Sequence, residues 1–346
     1  MEKNSFERLA SLCQAMGVSG EENDVKDILK NGLVGDEWVK DRLGSLFCVK
    51  KSSNPNAKTL MVATSLDELG LMVSDYESDG TLKFVALEGI SAASLLHQKV
   101  LVYTRDHKAY SGVVACNKVR FMEEPSAAIK MDMLVLDMGM TLEEAKEVFT
   151  IGDLVSFASE CEKLGSDVVM GKQLNTRMML EAIIEISERL AGHDLDFNVA
   201  MGGIAQSVVG WRGTKTATYV VQPDSALVLC GFDAAKSSPK ITRGNGMCVG
   251  VYDKQMLPGK RLLNDFTNTF NVQKAIGFYG NDGSFIHKTL KGTPSLSLGV
   301  AMNHMGGPRV TASLSDFDDL VEKTVQYILS LNSAKIEEFG YGVNYD

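Results

Sequence analysis

The chain has 346 residues, 45% of them apolar, with 32 glycines, 7 prolines and 7% aromatics. This composition suits an α/β core with tight turns and excludes a fibrous or compositionally disordered chain. A net charge of −9 with both signs interspersed gives no electrostatic footprint for nucleic acid or an anionic membrane, and neither is expected as a partner.

Helical spacing of Phe6, Leu9, Ala10 and Cys13 predicts a first helix that stops at Gly17. A second follows Ser19-Gly20, with Val25, Ile28 and Leu29 on one face. The run Leu60–Ala63 reads as a strand buried on both faces, of the parallel-sheet kind. It ends at the polar group Ser65-Leu66-Asp67-Glu68, and ligand sites of open α/β sheets lie at such strand ends. From about residue 70 to residue 163 the pattern changes to short β-branched runs, Leu82–Leu87, Lys99–Thr104, Tyr110–Ala115 and Asp153–Ala158. Glycines punctuate them, as in a small β-barrel or sandwich. One helix interrupts, opening at Thr141 with Glu144 placed for a capping box.

The α/β pattern returns after Gly171. Leu180, Ile183, Ile184, Ser187 and Leu190 mark a helix closed by Gly192, and strands are expected at Phe197–Met201, Ala226–Leu229 and Ser295–Leu298. A last helix opens at Ser315 and buries Phe317, Leu320, Val321, Val325 and Ile328. The expected organisation is an α/β domain from residues 1–69 and 164–334, an inserted β domain over 70–163, and a polar tail, disordered by default, over 335–346. Six cysteines, at 13, 48, 116, 161, 230 and 248, form no CxxC pair and read as free thiols. The charged opening MEKNSFERL has no apolar stretch of a signal peptide, and no run reaches the roughly 20 residues of a membrane span. A cytoplasmic location is expected.

Several motifs, in one order along the chain, resemble those of the TET-type (tetrahedral) dinuclear zinc aminopeptidases, the glutamyl and deblocking aminopeptidases also called "cellulase M". Asp41-Arg-Leu-Gly-Ser-Leu46 resembles D-x-L-G-N-L, and Ser65-Leu-Asp-Glu-Leu-Gly70 stands where that family has H-x-D-E-x-G. Gly171-Lys-Gln-Leu-Asn-Thr-Arg177 stands at G-K-x-L-D-D-R, and Gln206-Ser-Val-Val-Gly-Trp-Arg-Gly213 at Q-E-E-V-G-L-R-G. Gly280-Asn-Asp-Gly-Ser-Phe-Ile-His287 resembles G-T-D-A-x-x-I-H, and the segment 303–308 (NHMGGP) resembles R-Y-x-H-S-P. The resemblance implies a zinc-aminopeptidase-like α/β domain with a central mixed sheet flanked by helices, an inserted β-barrel, and assembly into a dodecameric shell. It also implies two zinc or cobalt ions at the strand ends, which lower the pKa of a bridging water while a glutamate moves the proton.

The positions that match the family's ligands hold other groups. Ser65 stands for the first histidine, Asn175 for the bridging carboxylate, and Ser207 for the general base. Val208, Cys230 and Gly306 stand for the remaining glutamate, aspartate and histidine. Asp67, the carboxylate that would orient the first histidine, is retained, as are Asp282 and His287, which match family positions outside the metal set. No histidine precedes His97, and no Asp, Glu or His occurs between Asp196 and Asp224. The two displaced candidates, Asp233 three residues from Cys230 and His304 two before Gly306, do not make a two-zinc site. The expectation is a degenerate member with no metal cofactor and no catalytic residue. Its residual pocket would comprise Asp67, Asn175, Ser207, Cys230, Asp282 and His304. It would be a structural, regulatory or peptide-binding subunit of a homo-oligomer, or of a hetero-oligomer with an active paralogue. Two alternatives stay open: an active metalloaminopeptidase with rearranged ligands, and a hydrolase using Cys230 or Ser207 with His304 as base.

Overall fold

A computed structural model describes residues 1–116, 129–277 and 279–341. Helices α1 (Lys3–Gln14) and α2 (Asn23–Gly32) lead into strands β1 (Glu37–Lys40), β2 (Leu46–Lys50) and β3 (Thr59–Ser65). Next come β4 (Leu71–Tyr76), β5 (Leu82–Ala86), α3 (Ala92–Leu95), β6 (Lys99–Tyr103), β7 (Ala109–Cys116) and β8 (Leu134–Asp137). They are followed by α4 (Leu142–Val148), β9 (Leu154–Phe157), β10 (Glu162–Leu164), β11 (Val168–Gly171) and α5 (Leu174–Leu190). β12 (Asn198–Ile204), α6 (Arg212–Val221), β13 (Ser225–Asp233), β14 (Cys248–Tyr252), α7 (Lys260–Thr269) and β15 (Gln273–Ile276) then alternate. The chain closes with α8 (Gly283–Ile286), β16 (Ser295–Met302), β17 (Val310–Ser313), α9 (Leu314–Ser330) and α10 (Ser333–Glu338).

An eight-stranded mixed sheet in the order β1-β2-β12-β3-β13-β16-β14-β15 forms the centre. Its middle strands β12, β3, β13 and β16 run parallel, so their carboxyl ends gather at one edge. Side chains alternate between two cores, as the period of a strand requires. Leu60, Val62, Leu227 and Leu229 face α1, α5 and α9, whereas Met61, Ala63, Ala226 and Val228 face Ala217 of α6 and Ile286 of α8. The expected α/β class and mixed central sheet with flanking helices are both present.

The inserted strands close into a barrel in the order β4-β5-β8-β7-β6-β9 around its own apolar core. Residues 117–128 of the expected insertion lie outside the described residues. Beyond the barrel, β10 pairs with β11 and β11 with β17, so Glu162–Leu164 joins a small three-stranded sheet with strands of the α/β part. The capping box is formed: Thr141 Oγ1 accepts from Glu144 N, and the Glu144 carboxylate accepts from Thr141 N.

The end of the chain departs from the expected disordered tail. Asn332 caps α10, and Ile336 and Phe339 are buried in the main core. The segment reads as polar, but these two apolar residues three apart fall on one face of a short helix. Residues 342–346 of that tail lie outside the described residues.

Between β13 and β16, Gly299 lies opposite Cys230, where a Cβ would stand 1.7 Å from the Cys230 carbonyl oxygen. Gly299→Ala is therefore expected to push these two site-bearing strands apart, lowering stability by about 1–3 kcal/mol or more, the range of overpacked cores. The urea midpoint measures it, and an unchanged midpoint contradicts the close approach.

Candidate functional site

The carboxyl ends of β3, β12 and β13 open into a cavity of about 650 Å³. Ser65, Asn175, Ser207, Val208, Cys230, Asp282 and Gly306 all line it, as do Glu88, Asp233 and Asp253, so the residues that the motifs align with the family's ligands lie around one cavity. Asn175 is brought there by α5, and Ser207 by the β12–α6 turn, where Gln206 and Trp211 take left-handed φ values of 55° and 53°. Trp211 also lines the cavity, its ring tilted against Phe285 at 5.7 Å.

The hydroxyls that replace the expected histidine and general base are turned to one carboxylate. Ser65 Oγ donates to Asp282 Oδ2 at 2.7 Å, and Ser207 Oγ donates to Asp282 Oδ1 at 2.7 Å. Thr214 of α6 adds a third donor to Oδ1, also at 2.7 Å. Asp282 is itself buried, and desolvation raises its pKa against the opposing effect of these three hydroxyls. The sequence singled out Ser65, Ser207 and Asp282 separately. It gave no local sign of their union, and Thr214 was not singled out.

Asp67 does not line the cavity. It is fully buried beside it, with Oδ2 accepting from Ser19 Oγ at 2.6 Å and from Val208 N at 2.8 Å. Its Oδ1 has no hydrogen-bond partner. Desolvation, only partly offset by Ser19 and Val208, raises its pKa to about 7.

Cys230 lies against Asn281, whose Nδ2 donates to its Sγ at 3.5 Å and to Ser297 Oγ at 2.8 Å. Burial pushes the Cys230 thiol well above the ordinary thiol range, the opposite of what a nucleophile needs. His304 is exposed, with a left-handed φ of 64°, and is not among the residues lining the cavity. It stands with neither Cys230 nor Ser207 as a base. His287 is held in the α8 turn, its Nδ1 2.7 Å from Gly283 O.

The donor chemistry does not fit a pair of divalent ions. Such ions take thiolate sulfur, neutral imidazole or carboxylate oxygen. At the positions aligned with the family's ligands the cavity offers instead two serine hydroxyls spent on Asp282, the neutral amide of Asn175 and a thiol held protonated at Cys230, and the carboxylates that line it elsewhere, Glu88, Asp233 and Asp253, are not grouped with them. Val208 and Gly306 offer no donor side chain. Among the described residues, no three His, Cys, Asp or Glu side chains are grouped to hold a metal.

The profile of the M42 glutamyl aminopeptidases matches residues 44–322. The glutamyl aminopeptidase of Lactococcus lactis subsp. cremoris is 28% identical over 352 residues, covering 96% of this chain and 98% of the relative. A TET aminopeptidase from a marine sediment Thaumarchaeota archaeon superposes with a TM-score of 0.91 at 27% identity, covering 98% of this chain and 100% of the other. The Pyrococcus horikoshii TET1 peptidase, described as able to assemble into a tetrahedron or a large octahedral shell, superposes with a TM-score of 0.85. At 22% identity, with 94% and 100% of the two chains covered, that last likeness speaks for the fold.

Proposed function

We infer function from this premise: the chain belongs to the M42 glutamyl aminopeptidase family. On it we propose a member of that family without its peptidase chemistry, a homo-oligomeric shell subunit that retains a peptide-sized cavity. One observation carries the reading. The side chains at the positions of the first histidine and the general base, Ser65 and Ser207, both donate to Asp282.

A metallopeptidase needs a neutral imidazole at the first of those positions to hold an ion and a carboxylate at the second to move a proton. A serine hydroxyl committed to a buried carboxylate supplies neither. Peptidase action through the serine or the cysteine is disfavoured on the same geometry. Ser207 has an acid as its acceptor and no imidazole beside it, and the Cys230 thiol is stabilised in its protonated form. The cavity volume of about 650 Å³ falls within the roughly 300–1,000 Å³ of small-ligand pockets. A short peptide is the ligand proposed for it, and likeness to TET assemblies supports the shell.

The test is turnover. Amino-acyl chromogenic substrates and short peptides, assayed with added zinc or cobalt, are expected to give no rate above the metal-only blank. A rate that is lost on chelation and restored by metal overturns the reading.

A further inference from the structure

Away from the cavity, two thiols meet across the junction between α1 and the segment leaving the barrel. Cys13 is buried on α1 and Cys161 is half-buried just before β10; both are free thiols. The β10–β11 register pairs Glu162 with Met170 and Lys163 with Val169, and one further step sets Cys161 opposite Gly171. Residues opposed across a strand pair project to the same face. The geometry at Gly171 agrees: a Cβ there would stand 3.1 Å from Cys13 Sγ and 3.6 Å from Cys161 Cβ. The missing side chain at Gly171 leaves the space in which the two cysteines face one another.

The bond that Cys13 gives favours a thiolate at Cys161. Lys172 and Arg177 are both buried, and both pair with the single carboxylate of Glu68, at 2.9 and 3.6 Å. Two cations against one anion leave a positive balance beside Cys13, which offsets only part of what keeps its thiol protonated. Cys13, hydrogen-bonded to Cys161 and buried, is held well above the ordinary thiol range; Cys161, as the acceptor of that bond, is held below it.

We propose that Cys13 and Cys161 are a reversible thiol–disulfide site, oxidised by small disulfides into a covalent staple between α1 and the base of the barrel. In the first step the Cys161 thiolate attacks one sulfur of a low-molecular-weight disulfide and expels one small thiolate. Cys13 sulfur then attacks the Cys161 Sγ of the mixed disulfide, releasing its own proton to solvent and the second small thiol as leaving group. The protein gives up two electrons and two protons, and the small disulfide is reduced to two thiols. The half-buried position of Cys161 admits the first attack, and the burial of Cys13 makes it the resolving group.

The experiment treats the full chain with oxidised glutathione and maps peptides by mass spectrometry without reduction. The expected product is a Cys13–Cys161 linked peptide, two fewer titratable thiols per chain, and full reversal by dithiothreitol. Cys13→Ser should instead accumulate a glutathione adduct on Cys161, because nothing resolves it, and Cys161→Ser should leave Cys13 unmodified. A persistent Cys161 adduct in the unsubstituted protein, a cross-link between other cysteines alone, or unchanged thiols would each overturn the proposal.

Discussion

Glu68→Ala is expected to destabilise the fold by about 3–5 kcal/mol, the loss seen when one partner of a buried charge pair is removed. Glu68 is 1% exposed and accepts from Gly17 N at 3.1 Å, Ser156 Oγ at 2.9 Å and Lys172 Nζ at 3.0 Å. It therefore ties together the turn after α1, strand β9 of the barrel and the entry to α5. Its removal strands Lys172 and Arg177 in the interior without an anion. Lys172, whose pKa is already lowered by desolvation, would shed its proton; Arg177 cannot. Lys172→Met should be milder, because Arg177 and Glu68 then remain as a balanced pair. Guanidinium unfolding of the two variants measures the difference, and a Lys172→Met loss equal to that of Glu68→Ala would contradict this account of charge balance.

The second large effect is a pH dependence centred on Asp67. Its folded pKa of about 7 exceeds the ordinary value of 3.8 because burial disfavours the carboxylate. A folded pKa above the unfolded one means that folding favours the proton. The stabilisation is complete below the unfolded value and is lost as pH rises towards about 7, the unfolded chain ionising first. The span of about three pH units corresponds to roughly 4 kcal/mol. Glu181, which desolvation raises to about 8 despite its pair with Arg8, adds a trend of the same sign. The informative quantity is accordingly the difference between unsubstituted protein and Asp67→Asn. That variant is expected to gain relative stability steadily from about pH 4 to about pH 7 and then level off. Parallel profiles would show that Asp67 is already ionised in the folded state.

The orphan Oδ1 of Asp67 also shows why part of this site was legible and part was not. Motif spacing located the strand-end cavity because backbone turns are local: Ser65 closes β3, and Ser207 and Trp211 sit in the turn before α6. Of the residues expected to form the pocket, Asn175, Ser207, Cys230 and Asp282 line the cavity, and Asp67 and His304 do not. What the hydroxyls do is a tertiary fact. The acceptor of Ser65 and Ser207 lies 217 and 75 residues away, and Thr214 joins them from a helix whose pattern gives it no distinction. His304, close to the expected ligand position by count, is carried out to solvent by its left-handed turn.

The same division holds for the fold. Buried runs such as Leu60–Ala63 announced the central strands, yet Ala226–Leu229 and Ser295–Leu298 are only the first halves of β13 and β16. Their distal ends contain Gly231, where an added Cβ would meet Asn175 of α5 and the Met302 side chain, and Gly299, which permits the close approach of β13. Strands β4 and β8 are not among the expected runs. The closing helix α10 rests on two buried apolar residues in a polar segment.

On the proposal above, the positions aligned with the family's metal ligands hold hydroxyls, an amide and a protonated thiol, which retain no pair of metal ions. The most direct test is native mass measurement coupled to elemental analysis for zinc, cobalt and manganese, on protein purified without chelators. An oligomeric particle with no metal retained in proportion to its subunits is expected. Two ions held tightly per chain would contradict it.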